Sequence, residues 1–321
     1  MKKALVTGGL GFIGSHLVEE LNARGYEITI VDNLQSNVVD PSEKKKRYKV
    51  YVESIKDINL QNIPANIIFH LASPVGPVGV LKYPGKMAEM IINDTAKVRD
   101  VCMSKQIPFV FVSSSEIYGH SGKLDEEANK VFPSKYTMRL EYGAGKMLAE
   151  ISLVNAAKAH PEFKYKIIRP FNVAGPRQLT VGGFVLPRFI QQCLSDEPVT
   201  VYGDGSQRRA FTDVRDVVDA ISFVVETQEW NTIWNIGNPA NEMSIKDLAW
   251  KVIEHTDSWS KIVYVDPKTI HGDWFEEVPD KIPYVEKLYS TGWRPKYTFE
   301  DTIDDAIKHM KEKKDGRGSQ R

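Results

Sequence analysis

The chain has 321 residues, of which 42% are hydrophobic, enough to bury the core of one large or two modest domains. Lys and Arg together number 42 and Asp and Glu also 42, so there is no net charge to favour nucleic acid or an anionic membrane as a partner. No apolar run approaches the roughly 20 residues that cross a bilayer.

The first element is an apolar strand, Ala4-Leu5-Val6-Thr7, followed by Gly8-Gly9-Leu10-Gly11-Phe12-Ile13-Gly14 and a helical pattern from Ile13 to Ala23. A turn without side chains lets a dinucleotide pyrophosphate approach the free N–H groups of a helix start. Eighteen residues beyond Gly14, the run Ile28-Thr29-Ile30-Val31 ends at Asp32. A carboxylate there accepts hydrogen bonds from ribose hydroxyls and repels a 2′-phosphate, which selects NAD over NADP. A plain β-α-β unit with a structural glycine turn is the alternative. The basic run Lys44-Lys45-Lys46-Arg47 is expected in a loop, as solvated surface.

Further β-branched and aromatic runs recur at Tyr48 to Val52, Ile67 to Leu71, Phe109 to Ser113 and Tyr165 to Ile168. Helical stretches are expected at Lys86 to Lys105, Leu140 to Lys158 and Val214 to Thr227. This alternation predicts an α/β fold, a Rossmann-type doubly wound parallel sheet, with a smaller C-terminal α/β substrate-binding lobe. Residues 1–171 are expected to form the cofactor domain, with a chain return around 204–236 that includes the Trp230 to Gly237 strand region. Residues 172–315 are expected to form most of the second lobe, with a helix start at Ser244-Ile245-Lys246-Asp247, and 316–321 a disordered tail. The two cysteines, Cys102 and Cys193, have no metal-ligand spacing, and no metal is expected. With no signal-peptide pattern before the first strand, the expected compartment is the cytoplasm.

Three more segments carry chemistry. Ser113-Ser114-Ser115-Glu116-Ile117-Tyr118-Gly119 follows a strand, Tyr142-Gly143-Ala144-Gly145-Lys146 lies on a helix, and Arg169-Pro170-Phe171-Asn172-Val173-Ala174-Gly175-Pro176-Arg177 follows another strand. With the G-x-x-G-x-x-G turn, their order resembles the extended short-chain dehydrogenase/reductase family, and within it the NAD-dependent nucleotide-sugar epimerases and dehydratases.

That resemblance implies a catalytic set of Ser114, Glu116, Tyr142 and Lys146. Tyr142 and Lys146 share a helix face at i, i+4, so the ammonium is expected to lower the phenol pKa and Tyr142 to act as base on a sugar hydroxyl. The implied cofactor contacts are Gly8, Gly11, Phe12, Ile13, Gly14, Asp32, Ser54, Ile55, Leu71, Ala72, Asn93, Tyr142 and Lys146. Ser54 departs from the family, which often has Asp before that Ile. The implied contacts to a nucleotide diphosphate sugar are Ser115, Asn172, Arg177, Tyr202 and Arg209. Of these, Tyr202 and Arg209 lie in the segment from Val199 to Val214, which looks like the family's nucleotide-clamping segment. A homodimer built on two helices per subunit is also implied, with Met147, Leu148, Ile151 and Leu153 as interface or core.

The net reaction rests on the residues beside Ser114. The 4,6-dehydratases carry Thr-Asp-Glu where this chain has Ser114-Ser115-Glu116, and a serine hydroxyl is a poor general acid. UDP-glucuronate decarboxylases show Thr-Ser-Glu-Val-Tyr-Gly, and His70-Leu71-Ala72-Ser73-Pro74 and Arg139 are also decarboxylase-like. Two segments differ: Val75-Gly76-Pro77-Val78-Gly79-Val80 departs from that pattern, and Asp280-Lys281-Ile282-Pro283 offers Lys281 where the decarboxylases use arginine for the carboxylate. The favoured reading is oxidation at sugar C4 leading to decarboxylation. A 4-epimerase, a 4,6-dehydratase, a net C4 dehydrogenase and a non-catalytic NAD-binding sensor or scaffold are the alternatives.

Overall fold

The computed structural model describes residues 1–74, 82–122, 124–134, 136–180, 183–271 and 280–318. Its centre is a seven-stranded parallel sheet of Lys3–Thr7 (β1), Glu27–Asp32 (β2), Lys49–Val52 (β3), Ile67–His70 (β4), Phe109–Val112 (β5), Tyr165–Pro170 (β6) and Thr232–Ile236 (β11). The spatial order is β11-β6-β5-β4-β1-β2-β3, reversing direction between β1 and β4. A crevice opens at such a reversal, beyond the carboxyl ends of the strands. Strands β4 and β5 are buried at every position, as near-continuous apolar runs covered on both faces must be.

Helices Phe12–Ala23 and Val214–Glu226 cover one face through Leu17, Leu21, Val217, Ile221 and Trp234. Helices Met87–Lys105 and Met138–Ala159 cover the other through Ile91, Val98, Leu153 and the phenyl rings of Phe109 and Phe111. A separate core of Leu186, Phe189, Phe211, Leu248, Phe299 and Ile303 joins helices Val185–Leu194, Ile245–His255 and Phe299–Gly318. Short strand pairs connect this region: Val173–Ala174 (β7) with Thr212–Asp213 (β10), Val199–Tyr202 (β8) with Ile262–Val265 (β13), and Arg208–Ala210 (β9) with Glu242–Ser244 (β12). The helix start at Ser244 is a capping box closed by Asp247.

Two local expectations change. Lys44 sits in a short helix, Pro41–Lys45, and its ammonium is 2.5 Å from Glu19, so only Lys45, Lys46 and Arg47 are solvated surface. The last helix runs on to Gly318, through residues expected to be disordered. The run Lys311-Glu312-Lys313-Lys314 consists of good helix formers, and Lys314 donates to the Leu194 carbonyl at 3.1 Å. Residues 319–321 lie outside the described residues, as does the Val75 to Val80 segment. Among the described residues, no helix is long and apolar enough to cross a membrane, and no group of three or more His, Cys, Asp or Glu side chains is placed to hold a metal.

Candidate active site

The glycine turn between β1 and the first helix is built for close approach. Gly8 has φ +70, and a Cβ on it would lie 2.7 Å from the Ala72 backbone nitrogen; a Cβ on Gly14 would lie 2.0 Å from the Gly8 carbonyl oxygen. Gly11 caps the helix with no side-chain bond to its first N–H groups, leaving them directed at the crevice between β1 and β4. A cradle that only glycine can line, facing a helix start, fits a dinucleotide pyrophosphate. Phe12 and Ile13 open that helix, and Leu71 and Ala72 form the opposite wall, their N–H groups reaching the Thr7 carbonyl and hydroxyl.

Asp32 closes β2. Its two oxygens accept the Leu10 N–H at 3.0 Å and the Leu34 N–H at 2.8 Å. Burial raises its pKa while these two bonds oppose the rise. The carboxylate therefore shapes the turn, with lone pairs left for a ribose hydroxyl. Ile55 is buried in the core beside Ile91, Ser54 is half-buried, and Asn93 is exposed on helix Met87–Lys105.

Tyr142 and Lys146 lie on helix Met138–Ala159, and the glycines between them explain how that helix fits. A Cβ on Gly143 would stand 2.8 Å from the Glu116 carbonyl oxygen, and one on Gly145 would stand 2.8 Å from the Ala88 Cα. The first approach sets the helix against the turn Ser115–Tyr118 after β5, and the second sets it against helix Met87–Lys105. Tyr142 hydrogen-bonds Ser114, whose hydroxyl also accepts the Glu116 N–H at 3.2 Å. Lys146 donates to the Val112 carbonyl at 2.9 Å, with its nitrogen 4.8 Å over the Phe111 ring and 6.0 Å over the Tyr142 ring.

The electrostatics differ from the expectation. Burial raises the Tyr142 pKa, the Ser114 bond lowers it, and nearby Glu116 raises it again. Burial also brings Lys146 down to about 7, against the upward pull of Glu150. An ammonium that burial disfavours supports the phenol less than a fully favoured one would, and the Tyr142 pKa stays above its ordinary value. Further positive charge near the tyrosine would assist activation, and an oxidised nicotinamide would supply it.

Glu116 is not a free carboxylate. Arg139 grips it through Nε to Oε2 at 3.0 Å and Nη2 to Oε1 at 2.8 Å, and Lys281 Nζ lies 2.8 Å from Oε1. Burial alone would raise its pKa, but the two cations hold it well below the usual carboxylate range. Lys281 is buried and brought down to about 8, chiefly by desolvation.

The remaining residues expected at the sugar nucleotide divide. Ser115 is buried at the start of the turn that carries Glu116. Asn172, at φ +37, spends its amide on the Ala210 and Lys281 carbonyls at 3.1 and 3.2 Å, so it braces the segment bearing Lys281. Arg209 pairs with Lys281 through a backbone bridge, which brings it to the same cluster. Tyr202 lies on β8 with the Arg188 guanidinium 4.1 Å over its ring. The Arg177 guanidinium pairs with Glu19 at 2.8 Å and reaches Ser15 at 3.4 Å, tying the segment after β7 to the first helix.

Glu141 has no place in the sequence reading, yet it accepts the N–H groups of Gly85, Met87 and Ala88 at 2.8, 2.8 and 3.3 Å, capping the neighbouring helix. Its position beside Tyr142 was the available signal. Glu150 and Arg169 form a buried ion pair, and Glu150 stands one helical turn beyond Lys146, a spacing visible in the chain.

A Rossmann crevice with a glycine cradle, and a serine–tyrosine–lysine set at the mouth of β5, defines an NAD-dependent enzyme of the extended short-chain dehydrogenase/reductase type. More narrowly, the chain belongs to the NAD dependent epimerase/dehydratase family, whose model matches residues 4–237. It is 32% identical over 320 residues to a UDP-N-acetyl-alpha-D-glucosaminuronate decarboxylase of Bacillus cytotoxicus, covering 97% of this chain and 98% of that protein. It is 30% identical over 318 residues to UDP-glucuronic acid decarboxylase 4 of Arabidopsis thaliana, covering 97% of this chain and 69% of the plant protein. Among solved structures, UDP-N-acetylglucosamine 4-epimerase from Methanobrevibacter ruminantium, in complex with UDP-N-acetylmuramic acid, superposes with a TM-score of 0.86 at 27% identity, covering 97% and 99% of the two chains.

Proposed function

We propose that the protein decarboxylates a UDP-linked uronic acid by oxidising the sugar at C4. The observation that carries this reading is the cluster of Glu116, Arg139 and Lys281, in which two cations share one carboxylate at 2.8–3.0 Å beside Ser114 and Tyr142. The surplus positive charge suits an anionic C6 group, since a neutral hydroxymethyl group offers it neither the opposite charge nor a paired acceptor. The two decarboxylase relatives support the same choice.

NAD held in the glycine cradle of Gly8, Gly11 and Gly14 would supply the acceptor, and afterwards the donor, of the C4 hydride. Tyr142 takes the C4 hydroxyl proton, with Ser114 holding that oxygen. The resulting C4 ketone makes the C6 carboxylate part of a β-keto acid. Its C5–C6 bond then breaks, carbon dioxide leaves, and the electron pair passes to an enolate that is protonated at C5. Arg139 and Lys281 orient the carboxylate. Glu116, kept ionised by them, anchors the two cations and does not serve as a base. Asn172 positions Lys281, and Arg209 meets the diphosphate, for which its planar guanidinium is suited.

Incubation with UDP-glucuronate and with UDP-N-acetylglucosaminuronate, followed by mass spectrometry and NMR of the product, tests the proposal. Loss of carbon dioxide is expected. A carboxylate retained with C4 inverted would replace the reading with epimerisation, and loss of water would replace it with dehydration. We also propose that the protein is a cytoplasmic homodimer. Leu148 and Ile151 support the dimer, being 46% and 45% exposed on the tyrosine helix, while Leu153 is core. Sedimentation as a monomer would exclude it.

A further inference from the structure

Behind Tyr142 and Lys146 lies a buried polar chain for which the reaction has so far no use. The Glu150 carboxylate accepts the Ser113 hydroxyl and a forked guanidinium, Arg169 Nη2 to Oε2 at 2.6 Å and Nε to Oε1 at 3.1 Å. Arg169 Nη1 donates to the Tyr118 hydroxyl at 2.8 Å, and that hydroxyl donates to Asn235 Oδ1 at 2.7 Å. Asn235 in turn donates to the carbonyls of Leu124 and Tyr284 at 2.8 and 3.0 Å. The chain thus runs from Glu150, one helical turn beyond Lys146, through Arg169, Tyr118 and Asn235 to the Tyr284 carbonyl.

Lys146 has few charges around it. On its own helix it faces Tyr142 and Glu150; from β4 it faces His70, which burial keeps neutral, and across Glu150 stands Arg169 from β6. Glu150 also faces Tyr165 and Lys130. Glu150 is thus the anion that favours the ammonium form of Lys146, and Arg169 competes for it.

We propose that Glu150, held by Ser113 and Arg169, is a positioning residue that sets how fully Lys146 is charged beneath Tyr142, and thereby the pH range in which the phenol works. The inference rests on the reading of Tyr142 and Lys146 as the catalytic pair. In Glu150→Gln the carboxylate charge is lost and Arg169 is left uncompensated, and both changes disfavour the ammonium. The phenolate then loses the cation nearest to it and forms only at higher pH.

The test is the pH dependence of kcat in the NAD-loaded protein for wild type, Glu150→Gln, Glu150→Asp, Ser113→Ala and Tyr142→Phe. The acid limb of Glu150→Gln is expected to move up by about one pH unit, a loss of ~10-fold at about pH 7 that recovers as pH rises, with KM for the sugar nucleotide little changed. Glu150→Asp should restore most of the wild-type profile. Ser113→Ala, which keeps the ion pair and guards against misfolding of the Gln variant, should shift the limb the same way by less. A uniform loss at every pH, or limbs that stay in place in both Glu150→Gln and Ser113→Ala, would overturn the inference while an inactive Tyr142→Phe left the catalytic pair standing. An active Tyr142→Phe would overturn the pair itself.

Discussion

The Gly143 Cα faces the Glu116 carbonyl so closely that a methyl group added there would stand 2.8 Å from the oxygen. Gly143→Ala gains about 1 kcal/mol of helix propensity but incurs about 1–3 kcal/mol of overpacking against a backbone atom. The second effect wins. A net loss of roughly 1 kcal/mol is expected in urea titrations, with a fall in kcat of about tenfold as Tyr142 moves off Ser114.

Glu116→Gln is expected to leave NAD binding intact and to reduce turnover, because Arg139 and Lys281 lose the anion that orients them. Removing the shared carboxylate from these two cations destabilises the protein by about 1–3 kcal/mol. The wild-type carboxylate has a folded pKa below its ordinary value of 4.5, so its stabilisation is complete above that pH and is lost as pH falls through the folded value. Acid titration of stability should therefore be shallower in Glu116→Gln than in wild type. Equal acid slopes would remove the ion-pair account.

His16 donates from Nε2 to the Pro176 carbonyl at 3.1 Å, and burial, with Arg177 beside it, lowers its pKa to about 4. Between about 4 and the ordinary 6.5 the unfolded chain binds more protons than the folded one, so stability falls as pH drops through that window. His16→Gln, which keeps a donor, should flatten the decline between those two values; denaturant midpoints across the range measure it.

Gly14→Ala places a Cβ 2.0 Å from the Gly8 carbonyl oxygen, a backbone atom that cannot yield without opening the turn. Loss of NAD binding by more than tenfold is expected in calorimetric titration, while the far-UV circular dichroism of the sheet and helices persists. Retained affinity would separate the turn from the cofactor site.

Much of this was legible in the chain because the signals were local. The glycine spacing before Ile13, the carboxylate ending the run at Asp32, and the Tyr142–Lys146 interval each depend on residues within one strand–turn–helix unit. The pairing of Arg177 with Glu19 was not legible, because a basic residue after a diphosphate-like motif looks the same whatever it meets, and Glu19 lies 158 positions away. The Tyr142 pKa was misjudged for a similar reason. Helical spacing placed Lys146 on the correct face, but the burial of both groups and the Val112 carbonyl that receives the ammonium come from tertiary packing. The pairing of Glu116 with Lys281, 165 residues apart, belongs to the same class of contact.

The helix Phe12–Ala23 offers its free N–H groups to the crevice at one end, while its Glu19 is held from two sides by Lys44 and Arg177. One rigid rod thus serves as coenzyme anchor, as brace for the segment after Asp32, and as hinge pin for the second lobe. Loosening any of these three attachments transmits play to the other two, so the apoprotein should be cut by protease sooner than the loaded form, first near Arg177.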